Sequence, residues 1–167
     1  MEQEILKKED IRHQLNIRPF ETRDAAAVAQ LTTASPETAQ WSEQSYSQLL
    51  TADRGGYAGW VATGSQGVIT GFIITRTIAG DAEILNLAVA APHRRTGIAG
   101  ALLLAALQDF ARTKVRRVYL EVRAANAGAL AFYQKHAFTI TGTRPRYYQY
   151  PEESAVLMEK ILTASAS

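Results

Sequence analysis

Three parts of this sequence carry side chains that could do chemistry. The first is the run Arg94-Arg95-Thr96-Gly97-Ile98-Ala99-Gly100. It joins an apolar segment at 84–89 to a leucine-rich one with Leu102, Leu103, Leu104 and Leu107 at helical spacing. A helix that starts in a glycine turn offers several unpaired backbone N–H groups at its positive end. Such an end can hold a phosphate or pyrophosphate. Gly97 and Gly100 lack the Cβ that would keep an anion at a distance, Ala99 is the next smallest choice, and Arg94 and Arg95 add charge. Many strand-turn-helix joints contain glycine and bind nothing, so the turn alone leaves both readings open. Neither the Gly-x-x-x-x-Gly-Lys-Ser/Thr loop nor the Gly-x-Gly-x-x-Gly dinucleotide pattern is present.

The second is Glu121, set in the apolar segment RVYLEV at 117–122. A carboxylate among branched and aromatic residues needs water, a partner or a job. That job could be proton transfer, and the plain alternative is a pair with Arg123 or Arg116 at a sheet edge. The third is Tyr133, twelve residues on. Its phenol could give a proton, although a helical aromatic by itself more often packs. His13, His93 and His136 have no metal-ligand spacing, and no cysteine exists to act as a nucleophile, thiolate ligand or disulfide partner. The sequence predicts no metal.

The elements that must position these groups follow from pattern. Residues 16–20 read as a first strand, and Thr22 as the N-cap of a helix at 23–33 that Ser35-Pro36-Glu37 ends. Ser42 caps a second helix reaching about residue 52, with Trp41 and Tyr46 at hydrophobic-staple spacing. Strands at 57–63, 68–77 and 84–89 are joined by turns at 64–67 and 78–81, short enough to make neighbours antiparallel. A helix runs from the glycine turn to about residue 113 and feeds a fifth strand at 117–122. A strand, a crossover helix and a strand imply a right-handed parallel pair. Asn126 caps a fourth helix at 127–135, and strands at 138–143 and 155–160 close the order. The fold class is therefore α/β, an α+β mixed sheet of about seven strands and four helices. Its first half is antiparallel, and strands four and five form a splayed parallel pair. Ligands in open α/β sheets favour the carboxyl end of such a pair.

At 167 residues the chain suits one domain with a real core. The expected organisation is a polar extension at 1–13, one domain at 14–161 and a disordered tail at 162–167. Hydrophobic residues at 47% and charged residues at 20% fit a soluble globular chain, and no run of 18 apolar residues is present to span a membrane. The charged start MEQEILKKED has no apolar signal core, so a cytoplasmic protein is expected. A net charge of +2 suits an anionic ligand better than direct nucleic-acid binding. The oligomeric state is not legible.

The stretch from residue 84 to 138 resembles the GNAT superfamily of acetyl-CoA-dependent N-acetyltransferases. LNLAV followed by Arg94-Arg95-Thr96-Gly97-Ile98-Ala99 fits the Arg/Gln-x-x-Gly-x-Gly/Ala signature of that superfamily. Within it, the chain is most similar to the ribosomal-protein alanine N-acetyltransferases, the Rim type. That similarity rests on Trp41-Ser42-Glu43, on LEVRAANAGALAFYQKHAF at 120–138, and on Arg146-Tyr147-Tyr148 with AVLM near the end. The resemblance covers nearly everything from 16 to 160. It implies a GNAT fold, acetyl-CoA as cosubstrate, and a protein or peptide N-terminus as acceptor, as in a small-subunit ribosomal protein. It implies Glu121 as general base and Tyr133 as general acid. Acetyl-CoA contacts fall on Leu87, Ala88 and Val89, on Arg94, Arg95, Thr96, Gly97, Ile98, Ala99 and Gly100, and on Asn126. Trp41, Tyr147 and Tyr148 would border the acceptor. A related enzyme acting on a small amine or on protein lysines is the alternative. The chain departs from the family at His136-Ala137-Phe138, where Leu-Gly-Phe is usual. A left-handed Ala137 would cost about 1 kcal/mol.

Overall fold

The computed structural model describes residues 15–49 and 55–162. The expected 1–13 extension and most of the 162–167 tail lie outside them, as does the end expected for the second helix. Seven strands form one sheet in the order β1-β2-β3-β4-β5-β7-β6. They are β1 (Asn16–Pro19), β2 (Tyr57–Thr63), β3 (Ile69–Ile78), β4 (Asp81–Val89), β5 (Arg117–Arg123), β6 (Thr139–Gln149) and β7 (Glu152–Ile161). The helices are α1 (Ala25–Thr33), α2 (Glu43–Leu49), α3 (Ile98–Arg112) and α4 (Ala127–Lys135).

Most expected elements are present, with shifts that have local causes. Thr22 is not the cap of α1. A single 3-10 turn, Thr22–Asp24, precedes the helix. Asp24 controls that entry: it accepts a 2.8 Å hydrogen bond from the Glu21 N–H and takes the Arg18 guanidinium on both carboxylate oxygens at 2.7 and 2.8 Å. Ser42 caps α2 as expected, accepting from the Ser45 N–H at 3.1 Å, and the Trp41 and Tyr46 rings staple the entry at 5.5 Å. The β3–β4 turn tightens to Ala79-Gly80, both left-handed at φ 51 and 87, as a two-residue hairpin loop requires.

The last two strands are longer than the sequence suggests. β6 and β7 pair from Thr139↔Glu159 to Gln149↔Glu152, with breaks after Ile140 and after Arg144. Tyr147 and Tyr148, expected in a loop, therefore belong to a strand. Polar and aromatic residues on an exposed edge strand carry no clean alternation for sequence to show. β7 also inserts between β5 and β6.

The sheet is covered on both faces. One face carries α3 and α4: Ile98, Leu102, Leu103, Ala106, Phe110 and Tyr133 pack with Ala82, Ile84, Val118, Leu120, Val122 and Met158. The other carries α1 and α2: Val28, Leu31 and Tyr46 pack with Val61, Phe72, Ile74 and Ala88. Gly71 lets α3 come close, since a Cβ there would sit 3.0 Å from the Ala88 carbonyl oxygen and 3.2 Å from Leu102. β4 changes phase midway. Ile74 pairs with Asn86 but Thr75 pairs with Ile84, so Leu85 is an extra, bulged residue. Before the bulge Ala82 and Ile84 face α3; after it Ala88 faces α1 and α2.

Candidate active site

The parallel pair is short. β4 and β5 are in register only from Asp81↔Arg117 to Glu83↔Tyr119. Beyond Glu83 the strands part. Leu87, Ala88 and Val89 stay paired to β3 on one side. Toward β5 their strand edge has no ladder partner, so backbone groups there are open to a ligand.

That opening leads to the glycine turn. Ala91–His93 forms a 3-10 turn, Arg95 is left-handed at φ 63, and Gly97, at φ 92, is the N-cap of α3. A Cβ at Gly97 would meet nothing within 4 Å, and one at Gly100 would reach only the His136 imidazole at 3.8 Å. The space over the first turn of α3 is thus free, beside a 15-residue helix with its positive end toward it. Gly100 itself lies inside the helix. Thr96 is held by its hydroxyl, which donates to the His93 carbonyl at 2.5 Å. Arg94 is engaged within the protein. Its Nε donates to the Val89 carbonyl at 3.1 Å, and its Nη2 to Ser35 Oγ and Glu37 Oε1, each at 3.0 Å.

Asn126 caps α4, accepting from the Ala129 N–H at 3.1 Å. The far end of α4 closes on Ala137, which is left-handed at φ 63. The Phe138 and Ala137 N–H groups donate back to the Tyr133 and Gln134 carbonyls at 3.0 Å. This is the helix stop that usually uses glycine. Tyr133 is 7% exposed, edge-on to Phe132 and Phe138 at 5.1 and 5.4 Å. Burial raises its pKa, and the phenol keeps its proton throughout the physiological range.

Glu121 lies on the opposite face. Val118, Leu120 and Val122 face α3 and α4, so strand alternation turns Tyr119, Glu121 and Arg123 away. The pairing of Glu121 with Arg123 or Arg116 is not what forms. Arg123 bonds Glu153 at 3.2 Å and lies 4.0 Å over the Tyr148 ring. Glu121 instead meets Arg144 of β6 at 3.1 Å. The Tyr147 hydroxyl also interacts with Glu121, and that carboxylate is the chief cause of its raised pKa. Tyr147 and Tyr148 pack edge-on at 5.1 Å. Trp41 sits elsewhere on the same face, against Tyr46 of α2.

Two charged residues beside Glu121 escape a reading by motif. Glu83 closes the parallel pair, and its pKa is raised first by burial and then by the Glu121 charge, with Arg76 and Arg144 acting against the rise. Arg76 pairs across the ladder with Glu83 and lies 5.3 Å over the Tyr57 ring. Its buried Nε has no hydrogen-bond partner. Arg76 lies near the end of the strand read at 68–77 and Glu83 just before the one read at 84–89; β4 in fact starts at Asp81, and only its placement beside β5 brings Glu83 to Glu121. Among the described residues no group of three or more His, Cys, Asp or Glu side chains could hold a metal ion. No described helix is long and apolar enough to cross a membrane.

A splayed parallel pair, a glycine-capped helix at its mouth and a carboxylate on the β5 face opposite that helix fit an acyltransferase type of architecture. The chain belongs to the Acetyltransferase (GNAT) family, which it matches over residues 25–138. It is 33% identical over 94 residues to an Escherichia coli enzyme named [ribosomal protein bS18]-alanine N-acetyltransferase. That match covers 55% of this chain and 64% of the relative. It is also 33% identical over 124 residues to the N-alpha-acetyltransferase RimI of Mycobacterium tuberculosis, covering 72% of this chain and 75% of that protein. The crystal structure of the ribosomal-protein-S18-alanine N-acetyltransferase from Escherichia coli superposes with a TM-score of 0.78 at 27% identity, covering 92% of this chain and 97% of that one.

Proposed function

We propose that this chain transfers acetyl from acetyl-CoA to the N-terminal α-amine of a protein, with a ribosomal protein beginning with alanine as the leading acceptor. The names of the bacterial relatives support the reaction type. The observation that carries it is the parting of β4 and β5 after Glu83, with Glu121 of β5 turned to one face of the sheet and Tyr133 of α4 packed on the other. Acetyl-CoA enters that gap, with its pyrophosphate over Arg95, Thr96, Gly97, Ile98, Ala99 and Gly100 and its base-distal arm along Leu87, Ala88 and Val89. Asn126 borders the thiol end.

The chemistry needs the ammonium to lose two protons, one before attack and one after, and the leaving thiolate to gain one. An α-amine has a reference pKa of about 7.7–8.0, so much of it is charged at neutral pH. Glu121, directly or through one water, takes the ammonium proton. The amine nitrogen then attacks the thioester carbon, whose oxygen accepts from open backbone N–H groups of β4. The C–S bond breaks, Tyr133 gives its proton to the departing thiolate, the acetylated nitrogen sheds its second proton to solvent, and solvent reprotonates the phenol. Trp41, Tyr147 and Tyr148 wall the acceptor side, and Arg144 and the Tyr147 hydroxyl hold Glu121 in place. A ribosomal acceptor puts the enzyme in the cytoplasm.

The test is acetyl transfer to peptides that differ in their first residues, with N-terminally blocked lysine peptides and free polyamines alongside. Free α-amines, led by alanine, are the expected acceptors. Transfer only to blocked peptides or polyamines would overturn the α-amine assignment. Glu121→Gln is expected to lose most activity near neutral pH and to recover in part at high pH, where the acceptor deprotonates unaided. A pH–rate profile parallel to wild type would remove Glu121 as the base.

A further inference from the structure

The segment between α1 and α2 is tied to the sheet at two points, and both ties come from the strand and turn proposed to hold acetyl-CoA. At its start Ser35 and Glu37 each receive Arg94 Nη2 at 3.0 Å. At its end the Ala39 carbonyl receives Asn86 Nδ2 at 3.0 Å. Asn86 also donates to the buried Tyr46 hydroxyl at 3.0 Å, and Trp41 packs on that tyrosine. Gln40 donates to the Thr32 carbonyl of α1 at 2.9 Å and to the Ser35 carbonyl at 3.1 Å, which folds the end of the segment back onto its start. Asn86 follows the Leu85 bulge and points to the face that carries Glu83 and Glu121.

Arg94 cannot fully serve two masters. Its Nε and Nη2 are committed to Val89, Ser35 and Glu37, and a guanidinium spends its planar fork on one set of acceptors at a time. We infer that Arg94 is a positioning residue for the acceptor wall: through Ser35 and Glu37 it sets residues 35–41, and with them Trp41, against the opening between β4 and β5. The turn then does two things with two adjacent arginines. Arg95 stays free of such ties and keeps its charge for the anion, while Arg94 fixes the loop that faces the other substrate. Glu37 is as much a part of this device as Arg94, although nothing in its sequence context marks it.

The inference rests on the acetyl-transfer reading for its kinetic readout but not for its structural one. Arg94→Ala, Glu37→Gln and the double variant are compared for acetyl-CoA affinity by calorimetry, for peptide KM and kcat, and for amide hydrogen exchange of residues 35–41. The pair is partly exposed, and exposed pairs couple by amounts that convert to about a two- to fivefold change. Both single variants are expected to raise peptide KM by that factor and to speed exchange in 35–41, and Glu37→Gln to leave kcat near wild type. The double variant should add little to either single one. Glu37→Gln should leave acetyl-CoA affinity unchanged. If Glu37→Gln leaves both peptide KM and loop exchange at wild-type values, the inference is overturned, whatever Arg94→Ala does to cofactor binding. If no α-amine peptide is acetylated, the function reading fails, and the exchange data still decide the loop tie.

Discussion

Tyr133 is one of the two residues proposed for proton transfer. Tyr133 is buried among aromatics, and its raised pKa keeps the phenol a donor. Tyr133→Phe leaves that packing intact and removes only the proton. It is expected to keep the melting temperature and acetyl-CoA affinity while lowering kcat by about 10²–10⁴-fold, the usual contribution of a general acid. Steady-state kinetics beside calorimetry would show it, and normal turnover would leave Tyr133 a packing residue. Glu83 shows a cost of the site. Its folded pKa lies above its unfolded value, because burial and the Glu121 charge oppose ionisation. The folded state therefore holds the proton more tightly. Stability falls as pH rises from the unfolded value, about 4.3, through the folded one, and stays reduced above it. Glu83→Gln should thus melt higher than wild type at pH 7, with the gain shrinking toward pH 4. A gain that grew on acidification would contradict the assigned direction.

At the scale of elements, the ends of helices matter more than their middles. α3 begins in a left-handed glycine and α4 ends in a left-handed alanine. The first is a conformation glycine adopts without strain; the second is one an L-residue adopts at a cost of roughly 1–2 kcal/mol. Ala137→Gly is therefore expected to stabilise the fold by about 1 kcal/mol, less the backbone entropy glycine loses on folding. Chemical denaturation with an unchanged m-value would measure it. A destabilised variant would mean that the Ala137 methyl contributes packing that outweighs strain. The β6–β7 hairpin shows the opposite relation between sequence and element. Its breaks after Ile140 and Arg144 let Tyr147 reach Glu121 while Tyr148 stacks on Arg123. Two adjacent tyrosines thus contact two different charged residues.

For the molecule as a whole, α3 is the keystone, since its apolar stripe covers the strands on which both halves of the site are built. Leu102 is fully buried and lies beside Gly71, where the missing Cβ lets helix and sheet approach closely. Leu102→Ala should cost about 2–5 kcal/mol through lost contacts and an unfilled cavity. In a chain of this size each kcal/mol lowers Tm by roughly 2–4 °C. Thermal unfolding followed by two probes, one for helix and one for tryptophan, is expected to shift as a single transition. Loss below 1 kcal/mol would show that the α3–sheet interface collapses to fill the gap.

Local information was enough to write most of this fold. The turn at 94–100, the cap at Ser42, the Trp41–Tyr46 staple and the alternation of 117–122 each depend on residues within one or two turns of chain. Short-range sterics and hydrogen bonding decide them, and they are legible one segment at a time. The resemblance in LNLAV, the turn signature and LEVRAAN likewise pointed to the family before any coordinate was known. What sequence could not supply were the relations between distant segments. That Glu121 takes Arg144 and Tyr147 as partners, instead of Arg123, depends on β7 inserting between β5 and β6. That Glu83 is a second carboxylate beside it depends on three residue pairs of parallel ladder and on where that ladder stops. That Arg94 reaches Ser35 and Glu37 depends on α1 and α2 packing over the same strand from which the turn springs. Each contact joins residues at least 20 positions apart, and a charged side chain has many chemically equivalent partners at that range. Only the packing of the two helix layers on one twisted sheet selects among them.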